Sequence, residues 1–449
     1  MWPFKKAAGE IEFKHTPNGA VLTHFSSPIE EYEIPAEYEG QPVTAISAGA
    51  FKSKRLRAVY AGKNISSVGK KAFAGCGGNL SVILPEKAER ADGALLGCKC
   101  VYFEEEGGLT LASYAGHEER IVLDSVCLKR KVIALSERLF YMFAYLKEIT
   151  LPESLVSIGK ECFSGCSDLE SIRFPMTLKT IGASAFSKSG LRALSFPYSL
   201  ERIGEYAFLG CDELEKISFS SGRTALAAGV FAKCALTDVK LPEEITEIQS
   251  ELFRENKRLE KISLPKTVEA VWDYAFADSG LTSVSLPENT EVIGEGAFSG
   301  MPNLTSVSFS NRLREIGGGA FAYSGKLTEI ASPHHPRFRL SDGLLIDTET
   351  HTLLAALPQT QKGHVSLPEG IEIVGDFAFS GLSGISSVTL PASVKKIGAS
   401  AFRELGILDS FELMGGLPEI GDSSFFGTNA DNLSAEEEIL DELEAFFDN

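Results

Sequence analysis

A phenylalanine returns every 22 or 23 residues along this chain. From Phe163 the aromatic positions run through Phe186, Phe208, Phe231, Phe253, Phe276 and Phe298 to Phe321, in alternating steps of 23 and 22. Phe51, Phe73, Phe379, Phe402 and Phe425 stand in the same register. A period of this length marks one supersecondary unit that cannot bury its apolar face alone, so successive units must stack. The 449 residues therefore need no single central core. The composition agrees: 29 Phe stand against 11 Tyr and 2 Trp, a bias that one Phe per unit produces.

The context of each Phe recurs as well. Residues 169–186 read LESIRFPMTLKTIGASAF and residues 259–276 read LEKISLPKTVEAVWDYAF. The shared frame is L-x-x-I-x-L-P, then L-x-x-I-G-x-x-A-F, then a short turn carrying Cys, Ser or Gly. The first run alternates and is rich in β-branched residues, so it predicts a strand. Proline after its last apolar residue removes a ladder donor and ends it, as at Pro152, Pro175, Pro197 and Pro265. Glycine after the second Ile (Gly159, Gly182, Gly294, Gly317, Gly398) permits a bend or a close backbone approach. Phe then points inward onto its counterparts. Between Phe73 and Phe163 four worn repeats are expected, with Leu96 and Phe140 near the marks.

The L-P…I-G-x-x-A-F-x-x-C pattern resembles the BspA-like, Treponema-type leucine-rich repeats over roughly residues 30–428. The resemblance implies a curved solenoid used for binding, often on a cell surface. The expected fold is α/β: a leucine-rich-repeat solenoid of about sixteen 22–23-residue coils with a parallel β-sheet and few short helices. Residues 1–48 are read as an N-terminal β cap and first coil, with a hairpin around Thr16-Pro17-Asn18-Gly19. Residues 49–430 are read as the solenoid, with insertions near 101–135 and 332–364, the second holding a hairpin that turns near Glu349. Residues 431–449 are read as an acidic amphipathic helix. There Ser434 and Glu437 have capping-box spacing, and Ile439, Leu440, Leu443, Phe446 and Phe447 share a face. A lid over the last coil and a docking helix for a partner are both open readings of it.

The formal charge is −18. A polyanion is repelled by phosphate backbones and anionic lipid, which argues against nucleic acid as a partner. No apolar run is long enough to span a bilayer, so no membrane insertion is expected. Lys5 and Lys6 are followed by Glu10, Glu12 and Lys14 rather than an apolar stretch, which is not a secretory signal and points to the cytoplasm. A surface or secreted location is the alternative.

Catalytic chemistry finds little support. Four of the seven histidines (His334, His335, His351, His364) fall in the second insertion, but adjacent His334 and His335 diverge in an extended chain and do not make a metal site. Cys76, Cys166, Cys211 and Cys234 each follow the repeat Phe by three residues, a packing position where Cys acts as a small hydrophobe. Cys98 and Cys100 lack the spacing of a zinc pair. No phosphate loop, nucleophile elbow or zinc-protease helix is present. No catalytic residue, metal or cofactor is expected, and the chain reads as a non-enzymatic protein-interaction scaffold. A surface adhesin and a self-assembling structural protein are the alternatives.

The outward position of the L-x-x-I-x-L-P strand runs Thr150, Arg173, Ser195, Ser218, Lys240, Ser263, Ser285, Ser308, Ala331, Thr389 and Glu412. It is dominated by Ser and Thr and lacks the aromatic anchors of protein hot spots. Affinity is therefore expected from the insertions, where irregular segments carry specificity. The candidate contact residues are Arg173 and Lys240 on the strand row, with His334, His335, Arg337, Arg339 and His351 in the second insertion.

Overall fold

The computed structural model describes residues 10–331, 335–358, 363–435 and 437–447. It falls into two units, Met1–Gly190 and Leu191–Asn449. Both are β-solenoid, about eighteen turns in all rather than sixteen. Each regular coil meets its neighbour along two sides. One is the L-x-x-I-x-L-P strand. The other is a two-residue strand at the I-G step, a second parallel ladder that the sequence frame did not announce.

A stack of Phe rings runs through the regular coils. In the second unit Phe253, Phe276 and Phe298 follow one another at 5.6 Å between ring centroids, with planes within 13°. All three are fully buried. In most coils the turn around the Phe is built from two left-handed residues, two before it and two after; at Phe51 and Phe73 only the earlier one is left-handed. In one coil these are Tyr274 (φ 55°) and Asp278 (φ 58°). This geometry aims three N–H groups along the stack: Tyr274, Phe276 and Asp278 donate to the carbonyls of Glu295, Ala297 and Ser299 at 2.8, 2.9 and 2.9 Å. The turn backbone is thus satisfied coil to coil, as buried backbone must be.

The I-G glycines serve close approach rather than a bend. A Cβ on Gly294 would stand 2.6 Å from the Asp273 nitrogen, and one on Gly159 would stand 2.6 Å from that of Glu137. The position three after Phe is more than a hydrophobic slot. Cys166 and Cys234 point their Sγ at the carbonyls of Phe140 and Phe208, 3.2 Å away in each case. Asn256 and Ser324 donate to the carbonyls of Phe231 and Phe298 at 2.7 and 2.9 Å. In these coils the slot holds a buried donor that ties the coil to the Phe before it, whereas Met301, Leu382 and Leu405 fill it with an apolar side chain elsewhere.

The first unit opens with the expected cap hairpin, Ile11–Thr16 against Gly19–Phe25, irregular between Glu12 and Phe13. Gly19–Phe25 starts the I-G ladder, continued by Gln41–Ile46, Ser67–Val68 and Glu89–Arg90. On the other side run Glu31–Glu33, Ala58–Tyr60, Leu80–Leu84 and Cys98–Glu105. In the coil before the insertion, Ala94 and Leu95 take the Ala-Phe place and pack on the core, while Leu96 is 57% exposed. The frame is therefore offset by one residue from its expected mark. Phe140 does stand in register, 5.2 Å from Phe163.

The first insertion is a second cap. Cys98–Glu105 turns back into Gly108–Tyr114, with an irregularity between Val101 and Tyr102. Phe13, Leu22, Val43, Ile46 and Phe51 have Tyr102, Leu111, Val132, Leu135 and Phe140 as equivalents: Phe13 pairs with Leu22 and Tyr102 with Leu111, while Leu22 pairs with Ile46 and Leu111 with Leu135. The hairpin also switches ladders. Its first strand extends the L-P side of the earlier coils, and its second starts the I-G side of the later ones, Arg130–Leu135, Ser157–Ile158 and Thr180–Ile181. The L-P side then restarts at Arg120–Val122, paired with Glu148–Thr150.

In the second unit the L-P ladder comes in blocks. Ala193–Phe196, Lys216–Phe219 and Asp238–Lys240 form one, and Ser283–Ser285, Ser306–Ser308 and Glu329–Ala331 the next. The intervening 261–263 run is not a strand, although Glu247–Ile248, Ala270–Val271 and Val292–Ile293 stay paired on the I-G side of the same coils. The coils are thus splayed on one side only.

The second insertion holds the expected hairpin, Leu344–Asp347 against Thr352–Ala356, again irregular at Leu345/Ile346, and Leu353 pairs with Val374 of the next coil. A further strand, Phe338–Ser341, precedes it across a turn in which Asp342 and Gly343 are both left-handed. At the C-terminal end the α-helix is Leu440–Phe447, after a 3₁₀ turn at Glu437–Ile439. Ser434 lies in a strand pair with Glu412 and does not cap the helix. Leu443 and Phe447 are buried, with Phe447 4.3 Å from Phe425, whereas Phe446 is 39% exposed. The helix is a lid on the last coil.

Candidate partner-binding site

The outward row behaves as its alternation requires: every member from Thr150 to Glu412 is exposed or half-buried. Arg173 belongs to the first unit and projects into solvent, 4.0 Å from Glu153. Lys240 belongs to the second and sits with Ser263 and Lys266 around a hollow of about 450 Å³ at the splayed coil. These two candidates mark places where the strand pairing lapses.

The second insertion divides its candidates. His335 is half-buried and wholly engaged by backbone: its Nδ1 accepts from the nitrogens of Arg337 and Phe338 at 3.1 and 2.9 Å, and its Nε2 donates to the Leu313 carbonyl at 3.1 Å. That pattern requires the neutral Nε2–H tautomer. Burial lowers the imidazole pKa, which the Leu313 bond only partly offsets. Arg337 grips Asp347 in a two-pronged contact, Nε–Oδ1 2.9 Å and Nη2–Oδ2 2.7 Å, and donates to the Arg314 carbonyl at 2.9 Å. It also faces Glu349 at 3.2 Å. Burial pushes the Asp347 carboxyl up, but hydrogen bonds from Arg337, Thr350 and the Glu349 nitrogen outweigh it and hold the group below its ordinary value. His335 and Arg337 therefore fasten the insertion to the coil beneath. Arg339 and His351 are the exposed pair, His351 at the left-handed corner of the hairpin turn. His334 lies outside the described residues.

The first insertion makes a concavity that the sequence frame did not reveal. Where the ladder switches, the Arg120–Val122 segment and the two residues after it stand across from the strand entries of the earlier coils. The recess between them holds about 730 Å³. Lys54, Arg55, Arg57 and Lys99 line it with Tyr114 and Val122, against the carboxylates Glu30 and Asp124. Lys99 pairs with Glu118 at 2.8 Å, and Tyr114 donates to the same carboxylate at 2.8 Å. Those two bonds hold Glu118 down at about 2. Val122 is 75% exposed. Residues 28–124 contribute to this wall, and no short motif gathers them.

Nucleophile chemistry is disfavoured nearby. Burial raises the thiols of Cys76 to about 11 and of Cys98 and Cys127 to about 12, away from the reactive thiolate. Among the described residues no three His, Cys, Asp or Glu side chains are grouped to hold a metal.

The BspA-type leucine-rich repeat model matches residues 26–106, 133–257, 224–338 and 358–449, in six copies. The chain belongs to this family. Among solved structures, this BspA-type chain is similar to a leucine-rich repeat protein from Bacteroides ovatus, 21% identical over 94% of this chain and 92% of that one, with a TM-score of 0.49. It is also similar to a leucine-rich cell surface protein from Faecalibacterium prausnitzii, 21% identical over 72% and 77% of the two chains, TM-score 0.44. The leucine-rich repeat protein of T. pallidum is 21% identical over 52% of this chain and 81% of that one, TM-score 0.26. No curated protein matches.

Proposed function

We propose that this BspA-type protein is a non-catalytic protein-interaction scaffold that holds its partner at the two interruptions of the coil pattern. The observation that carries the reading is the contrast between the regular face and the interruptions. The outward row is mostly Ser and Thr, whereas the interruptions present Arg339 and His351 in one unit and Tyr114 in the other, where Arg55 and Arg57 of an adjoining coil face it across the recess. Arginine and tyrosine are the side chains on which interface energy concentrates. The row supplies a broad polar surface that contributes solubility and weak contact.

The test is quantitative capture of partner proteins by the full-length chain, repeated with charge reversals at the interruptions (Arg339→Glu, Arg55→Glu) and with bulky changes on the row (Ser285→Arg, Ser308→Arg). Loss with the first set and retention with the second is expected. Loss only with the row variants would move binding to the regular face. Saturable turnover of any substrate in a broad activity screen would overturn the non-catalytic half of the proposal.

A further inference from the structure

We infer that the recess of the first unit is a docking site for an acidic segment of a partner protein, received by Arg55 and Arg57. The inference rests on the scaffold reading and assigns that scaffold a place and a ligand chemistry. The recess follows from the ladder switch, because the restarted L-P strand Arg120–Val122 has no earlier coil to pair with on its open side. It is therefore a fixed feature of the backbone.

Three of its four cations are uncommitted, Lys99 being paired with Glu118, and they outnumber the lining carboxylates Glu30 and Asp124. Lys54, Arg55 and Arg57 are exposed and take part in no ion pair among the described residues. Their neighbours differ: Arg130 binds Glu33 and Glu104, and Lys147 binds Glu119. The hollow beside the second insertion is a control within the same chain. It holds about 550 Å³ and is also lined by arginines, Arg312, Arg314 and Arg337. There Arg337 is held by Asp347 and Glu349, Arg314 stands 3.7 Å from Glu291, and Arg312 donates to Asn289. That hollow is internally neutralised; the first is not.

The chemistry of the lining selects the ligand. A guanidinium presents a planar fork that matches a carboxylate with two parallel bonds. The Tyr114 ring and the exposed Val122 side chain offer apolar contact beside it, so the fitting segment carries Asp or Glu next to a hydrophobic residue. A nucleic acid is a poor fit, because the recess also presents the carboxylates Glu30 and Asp124 and the chain carries a net charge of −18.

The experiment uses the full-length chain and a fluorescein-labelled, Glu-rich peptide of about twelve residues with a central Leu-Phe pair, followed by anisotropy at low salt and at about 0.5 M NaCl. The comparators are the same peptide with Gln for every Glu, and single-stranded DNA of similar length. We expect saturable binding of the Glu peptide, weakened at least about tenfold by salt, by the Gln exchange and by Arg55→Glu/Arg57→Glu, and unchanged by Arg312→Glu, a reversal in the other hollow. Both arginines are solvent-facing, and an unaltered melting curve verifies that the double variant is folded. Equal binding by the double variant, equal binding of the Gln peptide, tighter binding of DNA, or no binding at about 1 mM peptide would overturn the inference. The two readings fail differently. A native partner that still binds the double variant removes this site and leaves the scaffold standing, whereas a chain that binds no protein removes the scaffold.

Discussion

Most turns of the chain place two residues in the left-handed region, and most of those positions are not glycine: Glu161, Tyr206, Lys233, Glu251, Tyr274 and Ser400 among them. The conformation costs an ordinary residue on the order of 1 kcal/mol, and what offsets it is the three coil-to-coil N–H bonds it aims. The I-G glycine is the opposite case, an ordinary backbone conformation with no room. Gly294→Ala would press its methyl against the Asp273 nitrogen and carboxylate and is expected to cost about 1–3 kcal/mol in denaturant unfolding. The slot after Phe accepts either an apolar side chain, as at Met301 and Leu382, or a donor to the preceding Phe carbonyl, as at Cys166 and Cys234. Cys166→Ser keeps a donor for the Phe140 carbonyl and should change stability by under about 0.5 kcal/mol, whereas Cys166→Val leaves that carbonyl with the Phe143 N–H alone and should cost about 0.5–1.5 kcal/mol. Equal stabilities of the two variants would refute the donor role. This explains what was and was not readable at this scale. Phe, Pro and the I-G glycine are each strongly favoured by the packing at their place, so they recur visibly even though residues such as Gln249 and Trp272 replace the glycine in some coils. The left-handed positions tolerate Glu, Tyr, Lys or Ser, because the hydrogen bonds come from the backbone, and they leave no letter in the sequence.

The three irregular hairpins are one device, used at Ile11–Phe25, Cys98–Tyr114 and Leu344–Ala356. Each ends with a buried leucine, Leu22, Leu111 or Leu353, paired in parallel to the I-G strand of the coil that follows. Their kinship was hidden in the sequence because the copies share only alternate apolar positions. The Asp342-Gly343 turn was legible in principle, since that dipeptide favours two left-handed residues in a row. The candidates of the second insertion looked like a cationic surface because Asp347, which takes up Arg337, is separated from it by a whole strand. This anchoring has a pH dependence. The His335 pKa is lowered in the fold, so its contribution to stability is complete above about 6.5 and is lost as the pH falls through that value toward the lower folded one. Protonation of Nδ1 ends both bonds it accepts. Protection factors (intrinsic over observed exchange rate) at the amides of Phe338 and the rest of its strand should therefore fall below about pH 6.5, and His335→Gln should flatten that dependence; an unchanged profile would refute the anchoring role. At the far end, Phe447→Ala opens the rings of Phe411 and Phe425 to water, which should lower stability by about 3 kcal/mol and raise concentration-dependent light scattering as the last sheet edge is uncovered.

A stack with nearest-neighbour contacts distributes its stability as a sum of local terms. Phe276→Ala removes a fully buried ring between two others and is expected to cost about 3–5 kcal/mol, felt as faster hydrogen exchange in the coils of Phe253 and Phe298. The cap hairpin at Ile11–Phe25 should keep its protection; uniform acceleration along the chain would show a single cooperative body instead. The repeated fold was legible in the whole-chain periodicity, while the candidate recess was not. Its wall is gathered from residues as distant as Glu30 and Asp124, and Arg55 and Arg57 occupy ordinary coil positions that acquire meaning only when the ladder switches beside them. The hairpin behind that switch has a consequence for how such chains change over time. It opens the array at Ile11, and it stands at the head of a new series of coils at Cys98 and again at Leu344. A gene shortened or spliced just ahead of either later hairpin would encode a product that begins with a finished terminus. Length thus becomes an inheritable variable that recombination can alter without inventing an end.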